Sequence, residues 1–322
     1  MAEQYTYAVS RIRALENRLM SRQDLEQLLY APTVQAAVQQ LTDNGFGGED
    51  TNSSLETLLQ EERNHLWRQI RELVPEDRTI QVIQFEVDYH NVKAAVKALL
   101  TDASMEGLFQ KNGTVQAEEI IQAVQNREYD RLPAHLQETV PQAVEVLLQT
   151  RDGQECDLVV DRAAMHQMLK TGRDSKIMLV RQYMELAVAL ANMKIAVRGC
   201  RTGKSAAFLR RAMEPCGTLD IGRLAAAAAK EQEALYAYLS FTKYAEAVEA
   251  IKQSMSAFEK WGDNKIMELI RKQKNNPFTI APILAYLLAK ENEIKEVHLI
   301  LTAKQNKIAP EAIRERLRDM YV

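Results

Sequence analysis

The sequence contains few of the residues that interrupt helices. Glycine occurs 12 times and proline 8 times in 322 residues, and aromatic side chains make up 6% of the chain. Alanine, leucine, glutamate, glutamine, lysine and arginine dominate instead, and these residues lose the least side-chain freedom in a helix. The composition predicts a mainly α-helical protein, and the length predicts two or three domains.

The chain also lacks an excess of charge of either sign. Lysine and arginine total 41 against 44 for aspartate and glutamate, which gives a net charge of −3. Such a chain has no overall field that would draw it onto phosphate backbones. We therefore expect no nucleic acid among its partners.

The sequence also contains few cysteines and no long uninterrupted apolar run. The three cysteines, Cys156, Cys200 and Cys216, fit reduced thiols better than a disulfide framework. Residues 1–7 carry charge where a signal peptide needs an apolar core. The most apolar stretch, residues 177–197, contains charged side chains that exclude a bilayer span. We expect a cytoplasmic protein with no transmembrane segment, which could still dock onto a membrane protein.

What the chain does contain is a repeat. Residues 91–97 read NVKAAVK, and residues 192–198, 101 positions later, read NMKIAVR. Another 101 positions on, residues 293–298 read EIKEVH, with Glu293 in place of the asparagine. Columns upstream agree at the same spacing, such as the apolar column Phe85, Leu186 and Leu287. The third copy is the most divergent.

The first copy shows what each repeat contains. Val92, Ala95, Val96, Leu99 and Leu100 follow the spacing of one helix face. Much of this pattern recurs in the second copy. We predict one long, buried helix in each repeat.

The repeats also open alike. Residues 112–115 (NGTV) and 216–219 (CGTL) each offer a turn glycine and a capping threonine, and Ser21 and Asp24 form a comparable start in the first repeat. A period of about 100 residues makes each copy a small domain rather than a solenoid unit of roughly 20 to 50 residues. The predicted helical repeat domains are 1–104, 105–212 and 213–322.

Four segments carry a resemblance to a known family. Residues 86–93 (EVDYHNVK) are similar to a core motif of the C-subunit family of V/A-type ATPases, and residues 282–295 (PILAYLLAKENEIK) are closer still. The similarity continues through 299–304 (LILTAK) and 313–318 (IRERLR). The chain resembles the C subunits of V/A-type (vacuolar/archaeal-type) ATPases or ATP synthases, which are equivalent to the d subunits of eukaryotic V-ATPases. It departs from the pattern in the third copy and in the polar segment 130–154, which is either an irregular loop or a shifted helix.

This resemblance implies an all-α, funnel-shaped protein of three similar domains around a pseudo-threefold axis. It implies a non-catalytic central-stalk (rotor) subunit, a socket that couples the shaft subunits of the cytoplasmic head to the membrane proteolipid ring for ATP-linked ion transport. We accordingly expect no catalytic residue, no cofactor and no metal ligand. The expected partners are the shaft subunits and the ring, and the expected location is cytoplasmic and peripherally associated with the membrane.

Two local patterns imitate binding sites. Residues 199–205 (GCRTGKS) resemble a phosphate loop, but three residues separate the glycines where four are required, and a predicted helix precedes them. We interpret this segment as a helix end and linker. Glu62 and His65 have the spacing of carboxylate-bridged metal sites, but no second such pair exists. We predict that they lie on a solvated helix face.

Two other groups admit a chemical and a structural interpretation. His90 lies between Asp88 and Asn91 and could be a base held by a carboxylate, but we predict a packed or hydrogen-bonded histidine. Cys156 and His166 could act as nucleophile and base only if the fold brings them together, so we predict a structural cysteine.

Two composition runs are also open to more than one interpretation. The basic run 271–274 (RKQK) is either a solvated helix end or a patch facing an acidic partner. The alanine run 225–229 indicates strong helix propensity or close packing. The alternative function is a soluble α-helical scaffold or adaptor protein, and an enzyme ranks third.

Overall fold

The structure is a computed structural model and describes residues 5–47, 54–75, 78–100, 107–276 and 278–322. These residues form helices joined by short connections and contain no β-strand, which confirms the all-α prediction. Within these ranges no helix combines the length and the apolar character that crossing a membrane requires.

The chain forms two compact units. One consists of residues 1–77 and 249–322, and the other of residues 78–248. The division into three repeat domains stays a prediction, as does the funnel shape, and the predicted boundary at 104/105 lies outside the described residues.

The first unit is organised around one long helix, α15 (Ala281–Gln305), which is buried along most of its length. Six further helices of the unit pack against it: α1 (Thr6–Glu16), α2 (Arg22–Tyr30), α3 (Val34–Asp43), α4 (Leu55–Leu73), α14 (Met255–Arg271) and α16 (Pro310–Arg314). Helix α2 begins as predicted, because Ser21 and Asp24 form a capping box.

The second unit contains the helices that carry the first two repeat motifs, α5 (Arg78–Ala98) and α9 (Met178–Arg201). Helix α5 packs against α6, α7 and α8, and α9 packs against α8, α10, α11 and α12. These partner helices are α6 (Ala117–Asn126), α7 (Thr139–Thr150), α8 (Gly153–Asp174), α10 (Ala206–Ala212), α11 (Ile221–Lys230) and α12 (Gln232–Ser240). A further helix, α13 (Ala247–Gln253), begins at the end of this unit.

A long helix is present at each of the three repeat motifs, as α5, α9 and α15, but the second repeat contains two, because α8 has 22 residues against 21 for α5. In α5 the predicted apolar face is correct for Val92, Ala95 and Val96, which are buried. It is wrong for Leu99 and Leu100, which are 38% and 44% exposed. Helix α5 ends at Ala98, and the following turn takes these two side chains off the core face.

The polar segment 130–154 is not one irregular loop, because it contains a helix after a turn at residues 132–138. Helix α7 covers residues 139–150 and buries Val140, Ala143, Val144 and Leu147. The alanine run 225–229 lies in α11 and places Ala225 and Ala228 in the core, which confirms close packing.

The threonines expected to cap the second and third repeats do not cap helices. Helix α6 begins after Gln116, and α11 is capped by Asp220. Thr114 is instead held by the carboxylate of Asp88, and the Thr218 hydroxyl is paired with Tyr244. Each threonine lies two residues before the residue that caps the following helix, Gln116 or Asp220, and is therefore outside the cap position.

Helix α9 ends in a Schellman motif, which confirms that residues 199–205 are a helix end and not a phosphate loop. The Lys204 backbone N–H donates to Gly199 at 2.9 Å, and the Gly203 N–H donates to Cys200 at 3.3 Å. Gly203 has a φ of +65° with nothing near its missing Cβ. Its conformation, not a lack of space, therefore favours glycine.

We expect Gly203→Ala to lower the free energy of unfolding by about 1 kcal/mol, because a Cβ strains the left-handed backbone. Urea denaturation measures this change. The matched control is Gly153→Ala, at the first residue of α8, where φ is not positive and the nearest atom to the new Cβ lies 3.6 Å away. It should leave stability unchanged or slightly raise it, and equal losses in both variants would contradict the argument.

Candidate functional site: polar anchors on the long helices

The repeat position that reads Asn, Asn and Glu in the sequence holds three completely buried polar side chains. Asn91, Asn192 and Glu293 lie on α5, α9 and α15, and each has a relative exposure of 0%. Burying a polar group without a partner costs several kcal/mol, so the partners of these three side chains indicate what they do.

Asn91 and Asn192 bind the backbone in the same way. The Asn91 side-chain amide donates to the carbonyl of Gln110 at 2.9 Å and accepts from the Gln110 N–H at 2.9 Å. Asn192 does the same with Glu214, at 2.8 and 3.1 Å. An amide side chain has both the donor and the acceptor that a residue's backbone requires. Each asparagine therefore holds the segment that leads into the next repeat.

Glu293 makes only one of these two kinds of backbone hydrogen bond. Its Oε2 accepts from the backbone N–H of Met20 at 2.7 Å, just before the capping box of α2. A carboxylate has no donor to return to the carbonyl. The third anchor therefore holds the start of the first repeat through one hydrogen bond.

A lysine neutralises this buried carboxylate. The Lys290 ammonium lies 2.5 Å from Glu293 Oε1 and 2.6 Å from Glu62 Oε1, and Glu62 Oε2 accepts from the Gly47 N–H at 2.8 Å. Burial raises the pKa of Glu293. Burial acts to lower the pKa of Lys290, but the two carboxylates raise it above its ordinary value.

This arrangement confirms the predicted solvated position for His65 and corrects it for Glu62. His65 is exposed and contacts Gln69, whereas Glu62 is only 3% exposed. Glu62 does not belong to a solvated face, because Lys290 on α15 draws it into the core. Among the residues that the structure describes, no group of three or more His, Cys, Asp or Glu is placed to hold a metal ion.

Asp88, fully buried, is the centre of a second cluster. Its carboxylate accepts from the Thr114 N–H at 2.8 Å, accepts from the Thr114 hydroxyl at 2.5 Å and interacts with His135 Nε2 at 3.0 Å. His90 instead contacts the carbonyl of Leu108 at 3.1 Å, which confirms a hydrogen-bonded histidine. The histidine bound to Asp88 is His135, which the sequence spacing did not reveal because it lies 47 residues from Asp88.

The Asp88 cluster resembles a catalytic triad in composition but not in order. Both Thr114 and His135 interact with the same carboxylate, so the histidine is not positioned between the hydroxyl and the acid. Its geometry instead fixes the turn at residues 112–115 against α5.

Glu214 is the centre of a third polar cluster, which lies in the second unit. Its carboxylate lies 3.1 Å from Arg162 Nε and 2.8 Å from His166 Nδ1. Cys156 and His166 lie ten residues apart on α8, or about 15 Å along the helix, and are not within hydrogen-bond reach. Burial raises the pKa of the Cys156 thiol to about 11, which favours the predicted structural cysteine.

The basic run 271–274 begins at the last residue of α14, as predicted for a helix end. Arg271 donates to the carbonyl of Met320, and Lys272 lies 3.6 Å from Glu268. The Lys274 ammonium lies 4.7 Å from the centre of the Tyr321 ring. A role of this run in facing an acidic partner stays a prediction.

Fold and anchors together define an all-helical protein in which recurring long helices hold the segments between them. The model of the ATP synthase (C/AC39) subunit family matches residues 8–316. The chain belongs to this family, and the resemblance found in the sequence is confirmed.

Relatives in this family match over nearly the whole chain. The C subunit of the V-type sodium ATPase of Enterococcus hirae is 22% identical over 317 residues, covering 96% of this chain and 97% of that protein. The C subunit of the A-type ATP synthase of Methanocaldococcus jannaschii is 24% identical over 344 residues, covering 97% and 86%. That of Desulfurococcus sp. is 22% identical over 338 residues, covering 97% and 90%.

We expect Asn192→Ala to lower the free energy of unfolding by about 3 kcal/mol, because it leaves the buried N–H and carbonyl of Glu214 without partners. The shift of the urea midpoint measures this loss. Asn306→Ala is the control, since Asn306 is exposed and its side chain donates only to Thr302, four residues earlier. Its midpoint should barely move, and a similarly small shift for Asn192→Ala would contradict the anchoring role.

We expect Lys290→Met to cost about 3–5 kcal/mol at neutral pH, because two carboxylates then remain buried without a counter-charge. Loss of Lys290 raises the folded-state pKa of Glu293 further, since the lysine acts to lower it. A carboxyl with a raised folded pKa contributes stability at low pH that is lost as pH rises through that pKa. The deficit relative to wild type should therefore shrink between pH 7 and pH 5.

Urea unfolding at both pH values tests this dependence. Lys295→Met is the matched control, because Lys295 lies on the same helix and is exposed. It should show no such pH-dependent deficit. A stability deficit for Lys290→Met that grows toward pH 5 would contradict the conclusion that Lys290 neutralises Glu293.

Proposed function

We propose that the chain is a non-catalytic central-stalk component of a V/A-type rotary ATPase, a socket that couples the shaft subunits of the head to the membrane proteolipid ring. The observation that carries this proposal is the family match over residues 8–316. The names of its relatives, C subunits of V-type and A-type enzymes, support the same assignment.

The internal anchors support a mechanical role. A part that transmits torque has to resist deformation. The segments between repeats are held to the long helices by hydrogen bonds from buried side chains. Each anchor that is broken leaves a buried polar group unpaired, which penalises local opening. Stiffness of this kind suits a socket between two larger bodies.

The proposal includes that this chain catalyses no reaction itself. The buried Asp88, Glu214 and Glu293 exchange hydrogen bonds with the chain itself, and the Glu62, Glu293 and Lys290 charges pair with one another. These groups act as structural partners in the mechanism we propose. ATP hydrolysis or synthesis and ion passage would take place in other subunits.

The proposed location follows from the same role. The chain would lie in the cytoplasm and meet the membrane through the proteolipid ring, without inserting a segment of its own. Its partners would be the shaft subunits on one side and the ring on the other.

The test is a pull-down of the tagged full chain from gently solubilised native membranes, with mass spectrometry of the recovered proteins. We expect co-purification of proteolipid and rotary-head subunits at constant ratios. A tagged unrelated helical protein of similar size, expressed in the same cells, controls for carry-over. Recovery of the chain without these subunits, while the ATPase in the same extract stays assembled, would refute the proposal and favour a free scaffold.

A further inference from the structure

The first unit contains a polar cavity of about 470 Å³ next to the third anchor. It lies between α15, the turn from α1 to α2, the end of α3 and one face of α4. Tyr286, Lys290 and Glu293 line it from α15, and Glu62 lines it from α4. Arg18, from the turn, also lines it.

Tyr286 is the unusual member of this lining. Its side chain is only 4% exposed, and it makes no hydrogen bond to any residue that the structure describes. Other buried tyrosines are satisfied: Tyr89 donates to the His135 carbonyl at 2.9 Å, and Tyr321 donates to Glu16 at 2.9 Å. The hydroxyl oxygen is not enclosed by protein but opens onto the cavity, where its acceptor capacity is left for an occupant.

The repeat provides a comparison for this position. Residues 84, 185 and 286 are spaced by 101 and lie seven positions before the three anchors. In the first copy the Gln84 side-chain amide hydrogen-bonds within the chain: it donates to the carbonyls of Asn112 and Gly113 at 2.8 and 3.1 Å. In the second copy the buried Oε1 of Glu185 has no hydrogen-bond partner among the described residues. A side chain at this position can therefore hydrogen-bond to its own chain, as Gln84 does. The side chains in the second and third copies make no such bond to the residues that the structure describes.

The charges around the cavity indicate what it would accept. Glu62 and Glu293 share the single cation Lys290, whose ammonium also lies 5.1 Å from the centre of the Phe46 ring. The part of the cavity that Glu62, Lys290 and Glu293 line therefore carries a net negative charge. The rest of the lining adds two carboxylates, one arginine and one histidine, namely Asp24, Asp43, Arg18 and His65. A cationic occupant matches both this charge and the free acceptor capacity of the Tyr286 hydroxyl.

We propose that this cavity binds a lysine or arginine side chain of a partner protein, whose N–H groups donate to the Tyr286 hydroxyl oxygen and to the Glu62 and Glu293 carboxylates. The proposal rests on the proposed function, because it assigns the occupant to a shaft subunit of the same ATPase. It adds a site and a chemistry that the socket role alone does not specify. Charge-assisted hydrogen bonds in a buried pocket make such a side chain a strong contributor to binding.

The first variant is Tyr286→Phe, which removes only the hydroxyl. Its affinity for the shaft subunits should fall about tenfold, as expected for the loss of one hydrogen bond to a charged group. The melting temperature of the isolated full chain should stay the same or rise, because the hydroxyl has no internal partner. Tyr89→Phe is the control: it should lower the melting temperature and leave the affinity unchanged.

Two substitutions at Asn44 test the sign of the occupant's charge. Asn44 is exposed and lines the cavity. Asn44→Lys should weaken binding and Asn44→Glu should strengthen it if the occupant is cationic. The opposite order would show an anionic occupant and overturn the proposal.

Affinity is measured with the purified full chain and the shaft subunits of its own ATPase. The pull-down distinguishes failure of the proposed function from failure of the proposed site. If wild type recovers no rotary-head subunits, the proposed function fails. If wild type recovers them and Tyr286→Phe and both Asn44 variants bind like wild type, the function stands and the site is wrong. A loss of affinity in Tyr286→Phe accompanied by a lower melting temperature would assign the hydroxyl to folding and also overturn the site.

Discussion

The structure depends on the pairing of a buried polar side chain, placed on a long helix, with the backbone of the segment that enters the next repeat. Asn91 and Asn192 make this pairing with Gln110 and Glu214, and Glu293 makes the corresponding bond to Met20. Side-chain amides in the core are costly unless both donor and acceptor are used. Because they are used here, the interaction determines where each segment lies and not only how strongly it is held.

The third anchor shows how a change of one residue type propagates. A carboxylate at the asparagine position adds a buried charge, and that charge requires Lys290 one turn earlier. Lys290 in turn pairs with Glu62 on α4, whose second oxygen holds the backbone of Gly47. Two buried acids around one lysine leave excess negative charge and a polar cavity. The most divergent repeat is therefore also the one with the strongest case for a binding site.

Features whose determinants are local or periodic could be predicted from the sequence. The capping box at Ser21, the helix end at Gly203 and the three long helices all follow from spacing along the chain. The predictions were wrong where a side chain pairs with an element distant in sequence. Thr114 has the pattern of a helix cap but is held by Asp88, and Glu62 has the pattern of a solvated face but pairs with Lys290. Neither competitor is close in sequence.

The sequence by itself determined the helical class, the recurring long helices and the family, because these depend on composition, on periodicity over 101 residues and on contiguous motifs. Only the tertiary structure decided which polar side chains meet. Hydrogen bonds and ion pairs act over about 3 Å, and partners such as Asp88 and His135, or Glu293 and Met20, are separated by 47 and 273 residues. The Tyr286 hydroxyl belongs to the same category, since a missing contact can be recognised only when all neighbours are in place.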